Sequence, residues 1–227
     1  MAASSLFGAK SQVIILTGPV GTGKSSLMNS ILELRPSEEP EWTVIVNDTG
    51  RTGVVAKAGA EPASNMRIHT VYGACEMSAK TGVPMRTAAL RALLPRPPRR
   101  IFIELSTLAQ PTALRALLDN ANAVASTQVV ALVPLMQHLD LWRLSVTYQS
   151  QLKQADVLAL RLSDSEHLKT NKQEEALNAI EQNLADKQII LWGFENSGEY
   201  ETSAKGQAAN YSKVYSLKQV ARILLAA

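Results

Sequence analysis

The chain has 227 residues, of which 46% are hydrophobic and 19% charged, with a formal net charge of +3. That length suits one large α/β domain with a substantial core and is short for two, so a single domain over residues 1–227 is expected. One cysteine, Cys75, excludes an intrachain disulfide and fits a reducing compartment.

Partners are bounded in the same way. The small charge, with no basic run interleaved with aromatics, gives no footprint for nucleic acid. Arg96-Pro97-Pro98-Arg99-Arg100 reads as a stiff linker before a strand. Residues Met1 to Ser11 lack the apolar stretch of a signal peptide, and the run Val129–Met136 contains Pro134 and is too short to span a bilayer. The expectation is a soluble, cytoplasmic protein without a membrane or nucleic-acid partner.

In chain order, Val13–Thr17 is a short apolar run of strand character. Gly18-Pro19-Val20-Gly21-Thr22-Gly23-Lys24-Ser25 follows it and satisfies G-x-x-x-x-G-K-[ST], the phosphate-binding P-loop. Lys24–Leu34 then opens a helix, with apolar residues at 27, 28, 31 and 32. Strand, glycine loop and helix together give the motif a mechanism. Glycines let the backbone wrap close to phosphates with N–H groups aimed inward, and the helix N-terminus adds partial positive charge. Lys24 would reach the β- and γ-phosphates and the Ser25 hydroxyl would ligate Mg²⁺. Gly18, Gly21, Thr22, Gly23, Lys24, Ser25 and Ser26 are therefore the candidate nucleotide-binding residues.

The remaining strands are expected at Trp42–Val46, Met66–Val71, Ile101–Glu104, Gln128–Val133, Val157–Leu162 and Gln188–Trp192. Helices are expected over Ala79–Leu94, Thr112–Asn122, Gln137–Lys153, Ser165–Ala185 and Leu217–Ala226. Residues 193–212 are polar and read as a surface loop. Alternating strands and helices imply an α/β, three-layer αβα P-loop NTPase fold with a mostly parallel central sheet of about seven strands.

Ligands of such sheets gather at the carboxyl ends of the strands. The second strand ends in Val46-Asn47-Asp48-Thr49-Gly50, where Asp48 could meet Mg²⁺ or its waters, or could form an Asx-turn. The fourth runs Ile101-Phe102-Ile103-Glu104, three apolar residues and an acid, the shape of a Walker B element. Mg²⁺ takes one or two protein carboxylates plus phosphates and waters, so Ser25, Asp48 and Glu104 would suffice. The sixth ends in Arg161-Leu162-Ser163-Asp164, where Asp164 could accept hydrogen bonds from a guanine edge, or Ser163 or Asp164 could cap the next helix.

From Val13 to Asp164 the motif set resembles the CobW-like branch of metal-handling P-loop GTPases, relatives of UreG and HypB. Gly18–Ser25 matches fully. Val44–Gly50 resembles the family's V-N-E-F-G segment with Asp48 for the glutamate, and Ile103–Pro111 resembles I-E-x-S-G-x-A-x-P with Thr107 for the glycine. Gln154–Leu158 resembles the segment leading to the guanine motif N-K-x-D. There the chain keeps Asp164 but has Arg161 for the asparagine, and an arginine has no acceptor. Gly73–Ser78 stands where the family carries G-C-x-C-C, and Cys75 falls on the variable position. One thiol is a poor zinc or cobalt site, and His69, His138 and His167 show no ligand spacing.

The resemblance implies Mg²⁺-dependent binding and slow hydrolysis of GTP or ATP, with Lys24, Asp48 and Glu104 in catalytic roles and a homodimer or client protein completing the site. Two alternatives stand beside it. One is a nucleotide-binding interaction or regulatory subunit that does not switch, motivated by Thr107 and Arg161. The other is a small-molecule kinase, for which Arg86 and Arg91 would have to serve a phosphate lid.

Overall fold

The computed structural model describes residues 10–38, 41–48, 66–72, 83–162, 171–193 and 214–226. In chain order its elements are β1 (Ser11–Thr17), α1 (Lys24–Glu33), β2 (Trp42–Asp48), β3 (Met66–Tyr72), α2 (Val83–Ala92), β4 (Arg100–Glu104) and α3 (Thr112–Asp119). There follow β5 (Val124–Pro134), a 3-10 turn (Leu135–Gln137), α4 (His138–Leu144), α5 (Val146–Gln154), β6 (Val157–Arg161), α6 (Asn171–Asn183), β7 (Gln188–Gly193), β8 (Val214–Ser216) and α7 (Leu217–Ala226). Contacts divide the chain into two compact units, Met1–Thr17 with Arg35–Val129, and Gly18–Leu34 with Val130–Ala227.

In the first unit the strands lie in the order β3-β2-β4-β1, parallel at every pairing. Ile101, Phe102 and Ile103 are wholly buried, as are Val44, Ile45 and Val46, because a parallel strand is covered on both faces and so reads as an unbroken apolar run. Trp42 meets Phe102 with ring centroids 5.0 Å apart. On α3, Leu114 and Leu118 are one turn apart and both buried, so one stripe of the helix faces the core.

In the second unit β5-β6-β7-β8 are likewise parallel. Val130–Val133, Leu158–Leu160 and Ile190–Trp192 form its buried strand core. Helix α1 buries Leu27, Met28 and Ile31 and packs on α7, which buries Val220, Ala221 and Leu224.

The α/β class with parallel strands is as the sequence implies, but eight strands are described rather than about seven. The addition is β8, three half-buried residues beside β7, too short to carry a period-2 signal. Strand β5 begins at Val124, four residues before the expected start, and β2 continues to Asp48. The helix expected over Gln137–Lys153 is broken at Ser145. Its backbone is extended (φ −126°, ψ 104°) and its hydroxyl accepts from the Tyr148 N–H at 3.1 Å, which caps α5. Helix α3 stops at Asp119, short of Asn122, where the Asn120 amide donates back to the Ala116 carbonyl at 2.7 Å. Of the helix expected over Ser165–Ala185, Asn171–Asn183 is described. Residues 165–170 and 194–212 lie outside the described residues.

Candidate functional site

The P-loop belongs to the second unit, where Gly18–Leu34 joins the strands from Val130 onward. Two of its glycines are required by space as well as by backbone. Gly18 has φ 130°, and a Cβ there would come within 2.4 Å of the Leu132 carbonyl oxygen. Gly23 has φ 95°, and a Cβ would come within 2.9 Å of the Trp192 ring. Such positive φ values disfavour any side chain. Gly23 is also the residue on which α1 begins, so the same glycine fixes both loop and helix start.

Lys24, the first helical residue, is only 8% exposed. Its Nζ donates to the carbonyl oxygens of Gly18 (2.8 Å) and Pro19 (2.9 Å), folding the ammonium back over the loop. The Thr22 hydroxyl donates to the same Pro19 carbonyl at 2.9 Å. Ser25 is half-buried and Ser26 exposed in the first turn of α1, whose leading N–H groups have no carbonyl partner within the helix. A lysine folded into a glycine loop at a helix N-terminus is an anion site of the kind that takes phosphates.

Behind the loop, Arg161 at the end of β6 donates from Nη1 to the Gly21 carbonyl at 2.9 Å. Its guanidinium carbon lies 5.9 Å from the centroid of Trp192, the fully buried residue of β7 that abuts Gly23. The Trp192 indole N–H donates to the Ala159 carbonyl at 3.4 Å. A cavity of about 290 Å³ opens beside this group, lined by Val20 and Gly21, by Pro134 at the end of β5 and the 3-10 turn Leu135–Gln137, and by Arg161 and Leu162.

In the first unit, Glu104 closes β4 and is 4% exposed. It stands in register with Leu16 of β1 and Val46 of β2. Asp48 ends β2 two residues beyond that register, so both acids lie at the carboxyl ends of neighbouring parallel strands. Asn47, the residue before Asp48, is buried. Thr49, Gly50, Cys75 and Asp164 lie outside the described residues.

The two described histidines are not part of this site. His138 Nδ1 is 3.0 Å from the Tyr148 hydroxyl in a buried pair. Burial pushes the imidazole down to about 4 and holds the phenol well above its ordinary value, so both are neutral. His69 in β3 is held below its usual value by burial and then by Arg67, against a smaller opposing pull from Glu41. Among the described residues no three His, Cys, Asp or Glu side chains gather closely enough to hold a metal. No helix among them is long and apolar enough to cross a membrane.

Sequence reasoning missed Trp192 as a wall of the loop. Its only trace in the sequence is a tryptophan at the carboxyl end of an otherwise aliphatic strand.

The model of the CobW/HypB/UreG nucleotide-binding domain matches residues 12–191. The chain belongs to this family. The match begins in β1, ends within β7 and contains the whole P-loop.

Solved structures agree on the fold. HypB from Archaeoglobus fulgidus superposes with a TM-score of 0.54 at 12% identity, covering 95% of this chain and 89% of that one. HypB from Helicobacter pylori, solved with nickel, gives 0.54 at 13% identity, covering 97% and 87%. Zn(II)-bound YjiA GTPase from E. coli gives 0.51 at 16% identity and covers 90% of this chain, which itself spans only 62% of the YjiA chain. No curated protein matches the chain in sequence.

Proposed function

We propose that this protein binds a nucleoside triphosphate at Gly18–Ser26 and hydrolyses it slowly with Mg²⁺, GTP in preference to ATP. The observation that carries the reading is the Lys24 ammonium resting on the Gly18 and Pro19 carbonyls. A cation so placed exchanges two carbonyl dipoles for phosphate oxygens, which bind it more strongly because both partners are charged. Lys24 and the loop N–H groups then offset charge on the β- and γ-phosphates. In phosphoryl transfer that electrostatic work and positioning are most of the catalysis.

On the pattern of P-loop enzymes, the Ser25 hydroxyl would be a ligand of Mg²⁺, and Asp48 and Glu104 are the candidate carboxylates. Mg²⁺, when bound, would neutralise phosphate charge. No group in the sequence identifies itself as a catalytic base or arginine finger, and so turnover by the lone chain is expected to be slow, with a second copy or client protein completing the site.

Transition-metal delivery is not part of the proposal. The zinc of YjiA and the nickel of HypB are features of those structures, whereas this chain has a single cysteine. A kinase lid is not supported by residues 193–212, which contain no arginine. The reading as a non-switching nucleotide-binding subunit rests on Thr107, in the turn after β4, and on Arg161 at the end of β6.

Phosphate release at saturating GTP, with Mg²⁺ and with EDTA, separates these readings. Slow Mg²⁺-dependent release supports the GTPase. Stoichiometric GTP binding without release supports the non-switching subunit. Transfer of phosphate to a small acceptor would overturn both.

A further inference from the structure

The first unit holds another cavity, of about 690 Å³, well within the roughly 300–1,000 Å³ of ligand pockets. One wall is four consecutive residues of β3, Ile68 to Val71; the other is Pro84, Thr87, Ala88 and Arg91 of α2. Side chains of a strand alternate between its faces, so four residues in succession line one cavity only along the strand's edge. In its unit β3 is the outermost strand, paired with β2 alone among the described residues. The cavity therefore follows a strand edge whose outward N–H and C=O groups are open to a further strand.

The helical wall is a single stripe. Positions 84, 87, 88 and 91 recur at i, i+3, i+4 and i+7, while Met85, Ala89 and Ala92 of the same helix are buried in the core. Each wall runs about 10 Å, the span of three to four extended residues.

Charge lies at one end. Arg67 donates to the carbonyls of Ala92 (3.4 Å) and Leu94 (3.3 Å), which brings the end of α2 to the start of β3. Arg91 accordingly stands at the Ile68 end of the groove and Pro84 at the Val71 end. Arg67 is paired with Glu41, and burial keeps His69 neutral. Arg91 is exposed, and its side chain has no hydrogen-bond or ion-pair partner among the described residues. Half of the lining is polar, from His69, Thr70, Thr87 and Arg91. A plain hydrocarbon would leave those groups without partners, whereas a peptide backbone can meet them.

We propose that the groove between β3 and α2 binds the carboxyl-terminal tail of a partner protein, added as a short strand along β3 with its terminal carboxylate on Arg91. Main-chain hydrogen bonds to the strand edge supply affinity, and the cation at one end sets the direction of the tail. A free carboxylate is required, because the groove is no longer than about four residues and its charge sits at the end.

The test is titration of the ¹⁵N-labelled protein, followed by NMR, with three probes. They are a pool of acetylated tetrapeptides of valine, isoleucine and threonine with free carboxyl ends, the same pool amidated, and octanoate. The acid pool should shift the amide signals of Ile68–Val71 and saturate at millimolar concentration or below. The amidated pool and octanoate should each bind at least about threefold more weakly, a loss within the range for an ion pair at an exposed arginine. Arg91→Ala should bind the acid and amidated pools alike, while Arg96→Ala, an exposed arginine outside the groove, should keep the preference. No saturable shift at Ile68–Val71 with the acid pool would overturn the inference. So would a smaller difference between acid and amide, a preference that survives in Arg91→Ala, or octanoate binding as tightly as the acid pool.

Discussion

The aromatic edge of Trp192 closes on Gly23, leaving only 2.9 Å between its ring and the place a Cβ would occupy. A strand residue thus sets the identity of a loop residue far away in sequence. The three loop glycines consequently differ in what they tolerate. Gly18→Ala would drive a methyl to 2.4 Å from the Leu132 carbonyl oxygen, which is backbone and cannot turn aside. Gly23→Ala meets a buried ring, and Gly21→Ala meets nothing within 4 Å. Gly21→Ala should cost only its backbone strain, about 1–2 kcal/mol, and Gly18→Ala the most. Thermal melting and GTP titration of the three variants check this; equal losses would show that shape at these positions does not matter.

The buried His138–Tyr148 pair implies a pH response in stability. The imidazole titrates near 4 in the folded protein against an ordinary 6.5. Between those values the unfolded chain binds the proton and the folded one does not, so stability falls as the pH drops from about 6.5 towards 4. The loss attributable to this group is up to ~3 kcal/mol. Urea melts of wild type and His138→Gln across that range test it, since the variant has no imidazole to protonate. An unchanged slope in His138→Gln would assign the pH response elsewhere.

Removing the Tyr148 hydroxyl leaves a buried imidazole nitrogen without its partner at 3.0 Å. Tyr148→Phe should therefore destabilise by ~1–3 kcal/mol at pH 7. Chemical denaturation measures it. A neutral or stabilising effect would mean that the pair contributes packing alone.

Ser145 is the hinge between α4 and α5, and its hydroxyl caps α5 through the Tyr148 N–H. Ser145→Ala should cost about 1 kcal/mol, a fall in Tm of about 2–4 °C for a chain of this size. Ser145→Asp, which can cap in the same way, should restore the wild-type Tm. No change in either variant would show that the exposed Leu144–Val146 corner holds without its cap.

The parts of the site written locally were legible in the sequence. The P-loop spacing located the loop and the start of α1 at Lys24, and the apolar run before Glu104 placed that acid at the tip of β4. The CobW-like resemblance drawn from those motifs agrees with the family match. What could not be read were contacts between distant segments. Arg161 and Trp192 are 31 residues apart in the chain yet brace the same loop, and no spacing rule links them. The break at Ser145 was readable in principle, since serine before a new amphipathic turn is a capping signal. The helical period on either side concealed it.

Binding of the triphosphate is ascribed above all to Lys24 and its loop. Calorimetric titration of GTP with Mg²⁺ into wild type and Lys24→Ala, both verified as folded by circular dichroism, tests it most directly. We expect one GTP per chain in the wild type and an affinity lower by about 10–100-fold in Lys24→Ala, the range for one charged hydrogen-bonding partner removed. Affinities within twofold of each other, or no binding by the wild type, would contradict it.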